Sequence, residues 1–143
     1  MAFKFSAKSL SKLEGVHPTL AKIFKEAITD CPYDITLTWG LRTAAQQRAL
    51  YNQGRNGNKG PIVTKIDGYR VKSNHQAKSD GYGHAVDFAI YDPNVEGHID
   101  WESIDKYRAV ARHIQAVGKK YGVNLQWGGD WKTFEDTPHI EMP

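Results

Sequence analysis

Ala85-Val86-Asp87-Phe88-Ala89-Ile90 is the stretch on which the reading of this chain turns. Period-two alternation puts Val86, Phe88 and Ile90 on one face and Ala85, Asp87 and Ala89 on the other, the pattern of a strand. The bulky face is core. On the opposite face two small residues leave room around one carboxylate, and an unpaired buried charge is costly. Asp87 is therefore expected to meet either a basic partner or a cation.

Working outward, Tyr33, Ile35, Leu37 and Trp39 alternate with Asp34, Thr36 and Thr38, which predicts a second strand ending at Gly40. Before it, Pro18 suits a helix first turn, and Leu20, Ile23, Phe24, Ala27 and Ile28 follow the i, i+3, i+4, i+7 pattern. Thr43 can cap a short helix through Tyr51. Residues 54–74 are rich in Gly, Asn and Lys with a brief Ile62-Val63 run, predicting loop with a small hairpin. Trp101, Ile104, Tyr107, Ala111, Ile114, Gly118 and Tyr121 recur at helical spacing, with Gly122 placed to stop the helix. Two short strands, residues 123–127 and 139–142, flank a loop from Gly128 to Pro138. This order predicts an α+β fold, helices packed on a small mostly antiparallel sheet.

With 143 residues, 40% hydrophobic and 24% charged, the chain fits one domain spanning 1–143. Its 19 basic and 16 acidic residues give a net charge of +3 without a block of like charge. That leans weakly towards anionic partners. A basic nucleic-acid binder would need a clustered basic helix, and none is present, so no nucleic-acid partner is expected. The single Cys31 excludes an internal disulfide and thiolate-rich zinc sites. No run reaches the length of a membrane span, and Met1 to Ser6 lacks the apolar stretch of a secretory signal. The expectation is a monomer made in the cytoplasm, without a second domain.

The residues left for metal chemistry are His and acids. His75 lies in the polar turn Ser73-Asn74-His75, Asp87 on its strand, and His139 after Asp136-Thr137-Pro138. Two imidazoles and one carboxylate make a three-ligand zinc set that leaves a fourth position for water, as catalytic zinc requires. His84 is the rival to His75, but it stands three positions from Asp87, on the opposite face of an alternating strand. Asp136, three residues before His139, can serve as general base, with Glu135 as competitor. Arg42, in Trp39-Gly40-Leu41-Arg42-Thr43, can bind a substrate carboxylate, stabilise an oxyanion, or form a surface ion pair. Asp67 and Asp80 offer acids for a second metal such as calcium, at a spacing that matches no known loop.

Ser73-x-His75, Gly83-x-Ala85-x-Asp87 and Asp136-x-x-His139 together resemble the LAS-type zinc peptidases, in their D-Ala-D-Ala carboxypeptidase-like branch. They look most like the phage and bacterial L-alanyl-D-glutamate peptidases. Leu41-Arg42-Thr43 with Gln47, Leu50-Tyr51 and Gly54-Arg55 is similar to the family's Arg-bearing segment, and Trp127-Gly128-Gly129-Asp130-Trp131 to its loop before the last ligand. One departure is the spacing of His75 and Asp87, longer here, with Gln76 to Tyr82 read as an enlarged spacer beside the substrate groove.

The resemblance implies a hedgehog-like zinc peptidase fold with Zn2+ on His75, Asp87 and His139. It implies Asp136 as base and acid, Arg42 at the oxyanion or the substrate, and Ser73 orienting a ligand. The implied reaction is hydrolysis of the L-alanyl-D-glutamate bond in the peptidoglycan stem peptide by an endolysin that reaches the wall once the membrane is breached. The alternatives are a D-Ala-D-Ala carboxypeptidase or dipeptidase of the same fold, and a non-enzymatic, zinc-stabilised wall-binding module.

Overall fold

The structure is a computed structural model that describes residues 3–132 and 135–143. Its sheet is built around β2 (Ala85–Tyr91). β1 (Ile35–Trp39) and β5 (His139–Glu141) pair with β2 on either side, β4 (Gln126–Trp127) extends the sheet beyond β5, and β3 (Ile99–Asp100) pairs with the far end of β2. Every pairing is antiparallel. The architecture is the expected α+β one.

Val86, Phe88 and Ile90 are buried, and with Ile35, Leu37 and Ile140 they make the sheet side of the core. Two helices complete it. α2 (Pro18–Ala27) contributes Leu20, Ile23 and Phe24 from one stripe, and α4 (Ile104–Lys120) contributes Tyr107, Val110, Ala111 and Ile114 from another. Such stripes at helical spacing are what bury a helix against a sheet. Asp87, on the other face of β2, looks away from this core.

On that other face a short helix, α1 (Ala7–Ser11), reaches β1 through Ser9, whose hydroxyl bonds Thr36 at 3.0 Å and accepts the Leu37 N–H at 3.1 Å. α3 (Ala44–Asn52) starts on the expected Thr43, which closes a capping box with Gln46.

Three expectations need correction. Among the described residues no strand lies between Asn52 and Ala85, so the 54–74 hairpin is absent. Backbone groups there are satisfied by side chains of α3 and of the turn that follows it: Gln47 donates to the Ile66 carbonyl at 2.8 Å, Gln53 to Pro61 at 2.9 Å and Arg55 to Thr64 at 3.1 Å. Second, the long helix starts at Ile104, because Asp100 captures the Glu102 and Ser103 N–H groups and leaves Trp101 58% exposed ahead of it. It ends as expected, with Gly122 at φ 73°. Third, the strand foreseen over 123–127 shortens to β4. The expected loop from Gly128 to Pro138 includes Thr133 and Phe134, which lie outside the described residues.

Candidate metal centre and groove

The β2–β5 register sets Asp87 directly opposite His139. Facing residues across an antiparallel ladder are close enough for their side chains to meet. His139 Nδ1 stands 3.1 Å from Asp87 Oδ1. His75 reaches the same oxygen from a loop, its Nε2 at 3.2 Å. The nearest ligand atoms of His75, Asp87 and His139 lie within 4.8 Å of one another, and all three residues are at most 9% exposed.

His75 is held on its turn from three directions. Its ring Nδ1–H donates to the Gly40 carbonyl at 2.8 Å, its backbone N–H to Ser73 Oγ at 3.1 Å, and its carbonyl accepts the Arg42 N–H at 2.8 Å. Ser73 thus acts on the His75 backbone, not on its ring. The enlarged spacer does not disturb this turn. His84 N–H bonds the Asn74 carbonyl at 2.7 Å and Lys78 N–H the Tyr82 carbonyl at 3.0 Å, so the spacer closes on itself. No residue from Gln76 to His84 lines the groove at the centre, so the spacer forms none of its wall.

His84 is excluded, as its parity suggested: its Nε2 pairs with Asp80 at 2.7 Å, well outside the His75, Asp87 and His139 group. Asp67 accepts three backbone N–H groups, from Tyr69, Arg70 and Val71. Asp67 and Asp80 therefore serve turns and a histidine, and among the described residues they belong to no metal-ligand cluster. His113, on α4, is half-buried and bonds the Ala27 carbonyl at 2.8 Å.

Arg42 is nearly buried, stacked over Trp39 at 4.5 Å, and clamped between Gln47 Oε1 at 2.8 Å and Asp87 Oδ2 at 3.2 Å. The surface ion pair considered for it is thereby ruled out. Gln47, 1% exposed, sits in a helix whose sequence gives no sign that it faces inward. Asp136 Oδ2 is 3.8 Å from His139 Nδ1, and Asp136 lines the groove, whereas Glu135 is exposed and does not. Glu141 and Asn74, which the reading for ligands passed over, complete the surroundings: His139 Nε2 bonds Glu141 Oε1 at 2.7 Å and Asn74 Nδ2 bonds Glu141 Oε2 at 2.7 Å. The shared face of His139 and Glu141 in β5 was the available signal.

The electrostatics describe a site that calls for a cation. Burial works against charge on His139, but its bonds to Asp87 and Glu141 outweigh it and push the imidazole up to about 10. Burial likewise opposes ionisation of Asp87, yet the charge and hydrogen bonds of the two imidazoles hold it well below the usual carboxylate range. Asp136 goes the other way, raised to about 6 by burial and then by the Asp87 charge.

A metal ion fits this donor set. Gly40 and Glu141 can only accept, so each occupies one ring nitrogen of His75 or His139 as a donor and leaves the other nitrogen facing Asp87. A dication between them satisfies the same demand for positive charge that draws the proton onto His139. The separations of 3.2 and 3.1 Å also suit it. Ligand bonds of 2.0–2.1 Å in a tetrahedron make an edge of about 3.3 Å.

The groove at this centre holds about 420 Å³, and apolar walls from Trp39, Leu50, Val63, Ile66 and Trp131 flank it. The sequence model of the phage L-alanyl-D-glutamate peptidase family matches residues 1–142. The chain belongs to that family.

Among its relatives, the L-alanyl-D-glutamate peptidase of Escherichia phage T5 is 34% identical over 136 residues, 95% of this chain and 87% of that protein. The peptidoglycan L-alanyl-D-glutamate endopeptidase CwlK of Bacillus subtilis (strain 168) is 34% identical over 142 residues, 89% of this chain and 73% of CwlK. The crystal structure of the Serratia marcescens L-Ala D-Glu endopeptidase ChiX superposes with a TM-score of 0.75 at 28% identity, over 99% of this chain and 90% of that one. The described residues therefore share the fold of that endopeptidase. No helix among the described residues is long and apolar enough to cross a membrane.

Proposed function

We propose that this chain is a zinc-dependent endopeptidase that hydrolyses the L-alanyl-D-glutamate bond of the peptidoglycan stem peptide, acting in host lysis. The observation that carries the reading is the convergence of His75 and His139 on one oxygen of Asp87, with Asp136 beside them, at the floor of a groove of about 420 Å³. Family membership supplies the bond. The relatives named above are L-alanyl-D-glutamate peptidases and endopeptidases.

In this proposal His75 Nε2, Asp87 and His139 Nδ1 hold Zn2+. When bound, the ion supplies a Lewis acid that polarises the scissile carbonyl and lowers the pKa of water to about 7. The protein's own groups do the rest. Asp136, held near 6 and therefore ionised at neutral pH, takes the proton of the attacking water and returns it to the leaving amine of D-glutamate. Arg42 fixes the second oxygen of Asp87 and lines the groove, where its charge favours the developing oxyanion. The apolar walls hold the stem in place and exclude bulk water.

Digestion of purified peptidoglycan with and without chelator tests the reading. Mass spectrometry should find a new amino terminus on glutamate, abolished by chelation and restored by zinc. Release of free D-alanine without that terminus would instead identify a carboxypeptidase. Asp136→Ala should retain zinc yet lose roughly 10²–10⁴ in rate, as expected for removal of a general acid–base. Wild-type turnover by that variant would remove Asp136 from its role.

A further inference from the structure

We propose that Glu141 is a positioning residue for both imidazoles of the metal centre, one carboxylate oxygen serving each. This rests on the metallopeptidase reading above. Glu141 follows His139 by two positions in β5, so both side chains leave the same face of the strand. Its Oε1 accepts from His139 Nε2 at 2.7 Å, and its Oε2 accepts from Asn74 Nδ2 at 2.7 Å. The Glu141 side chain is only 13% exposed, so water competes little for either oxygen.

The first bond selects a ring nitrogen. A carboxylate only accepts, so the nitrogen facing Glu141 must carry hydrogen, and Nδ1 is the one turned towards Asp87 and the metal position. His75 makes the opposite choice, Nε2, because the Gly40 carbonyl takes its Nδ1–H. The second bond places the segment that carries His75. Asn74 precedes that residue, and its side chain ties the 73–76 turn to β5 across the mouth of the centre. Asp87 and His139 are already fixed by the ladder, in which Ala85 pairs with Glu141 two positions away. His75 has no ladder, and Glu141 gives it one strand-borne anchor. Outer partners of this kind orient metal ligands and raise their basicity.

Glu141→Gln keeps the shape but removes the charge, and an amide can accept from only one of the two donors. Asn74→Ala cuts the second bond alone. Zinc affinity, measured by competition with a chromophoric chelator, should fall roughly 10–100-fold in Glu141→Gln and by a smaller factor in Asn74→Ala. Proton NMR supplies a readout that activity does not. The hydrogen-bonded Nε2–H of His139 should give a downfield resonance in metal-free and zinc-loaded wild type, lost or shifted upfield in Glu141→Gln and kept in Asn74→Ala. Metal-free melting points matching the wild type's would separate positioning from folding; if Glu141→Gln does not fold, Asn74→Ala still tests the tie to the His75 turn. Zinc affinity equal to the wild type's in both variants, or a His139 resonance unmoved by Glu141→Gln, overturns the role of Glu141. A wild-type protein that takes up no zinc would overturn the metallopeptidase reading itself.

Discussion

Asp87 and His139 face each other across a β ladder, while His75 reaches them from a turn at the end of a long stretch without regular structure. The two halves of the site are held by different physics. On the ladder, backbone pairing fixes side-chain position to within the pleat, and nothing further is needed to bring the two groups together. On the loop, each fixed point is a separate side-chain bond: Gln47 to Ile66, Arg55 to Thr64, Gln76 to Gly68, and Gly40 to the His75 ring. Rigidity on the ladder is collective, whereas on the loop it can be removed one bond at a time. Breaking one element on each side should therefore give different signatures.

The larger effect is expected where the loop before β5 meets the ladder, because a close backbone approach there leaves no slack. Gly128 follows β4 and lies against the residue proposed as the base: a Cβ there would sit 2.2 Å from the Asp136 carbonyl oxygen and 2.9 Å from its Cβ. Its own carbonyl accepts the Asp136 N–H at 3.0 Å, so the two residues cannot separate without losing that bond. Gly128→Ala must push Asp136 back by about 1 Å, and misplacement on that scale can cost on the order of 10²-fold in rate. Zinc content should fall less than the rate, since the push reaches His139 only through its N–H bond to the Asp136 carbonyl at 3.1 Å. A variant with wild-type kcat would show that Asp136 has more freedom than its close approach to Gly128 allows.

On the loop side, Gln47→Leu keeps the volume but leaves the Ile66 carbonyl and the Arg42 guanidinium each short of a partner. Loss of buried hydrogen bonds of this kind costs about 1–3 kcal/mol. The expected signature is local: faster amide hydrogen exchange around residues 64–66, and a KM that rises because the wall formed by Val63 and Ile66 loosens. Exchange spreading uniformly into β2 and β5 would show instead that wall and floor unfold as one unit.

The same contrast explains what could be read from the sequence. Val86-Asp87-Phe88 announced both a core face and a misfit carboxylate, and the shared face of His139 and Glu141 followed from period two. The capping box at Thr43 and the stripes of α2 and α4 were equally legible, because each depends on residues a few positions apart. What could not be read depends on distant partners. α1 is a short, polar segment that owes its place to Ser9 meeting Thr36 and Leu37, residues on a strand not yet formed when α1 is considered alone. Gln47 looks like any solvent-facing glutamine until Arg42 and the Ile66 carbonyl are brought to it. The hairpin expected in 54–74 failed for the same reason, since side chains of α3 and of the turn after it take the backbone partners that a second strand would have supplied.

The enlarged spacer offers the smallest effect and the sharpest test of where the loop half ends. Asn74 carbonyl and His84 N–H close its base at 2.7 Å, Lys78 and Tyr82 close its tip, and none of its residues lines the groove. A chain in which one glycine replaces Ser79, Asp80 and Gly81 removes the tip and both Asp80 bonds, to His84 and to the Tyr82 N–H. The melting point should drop slightly, because His84 is left without its carboxylate. Zinc affinity and hydrolysis of a soluble stem peptide should stay at wild-type values, because His75 is held at Gly40, Ser73 and Arg42 by bonds that do not pass through the spacer. A fall in zinc affinity would mean that the spacer supports His75, and the boundary between the loop that builds the site and the loop that only closes on itself would have to move past residue 82.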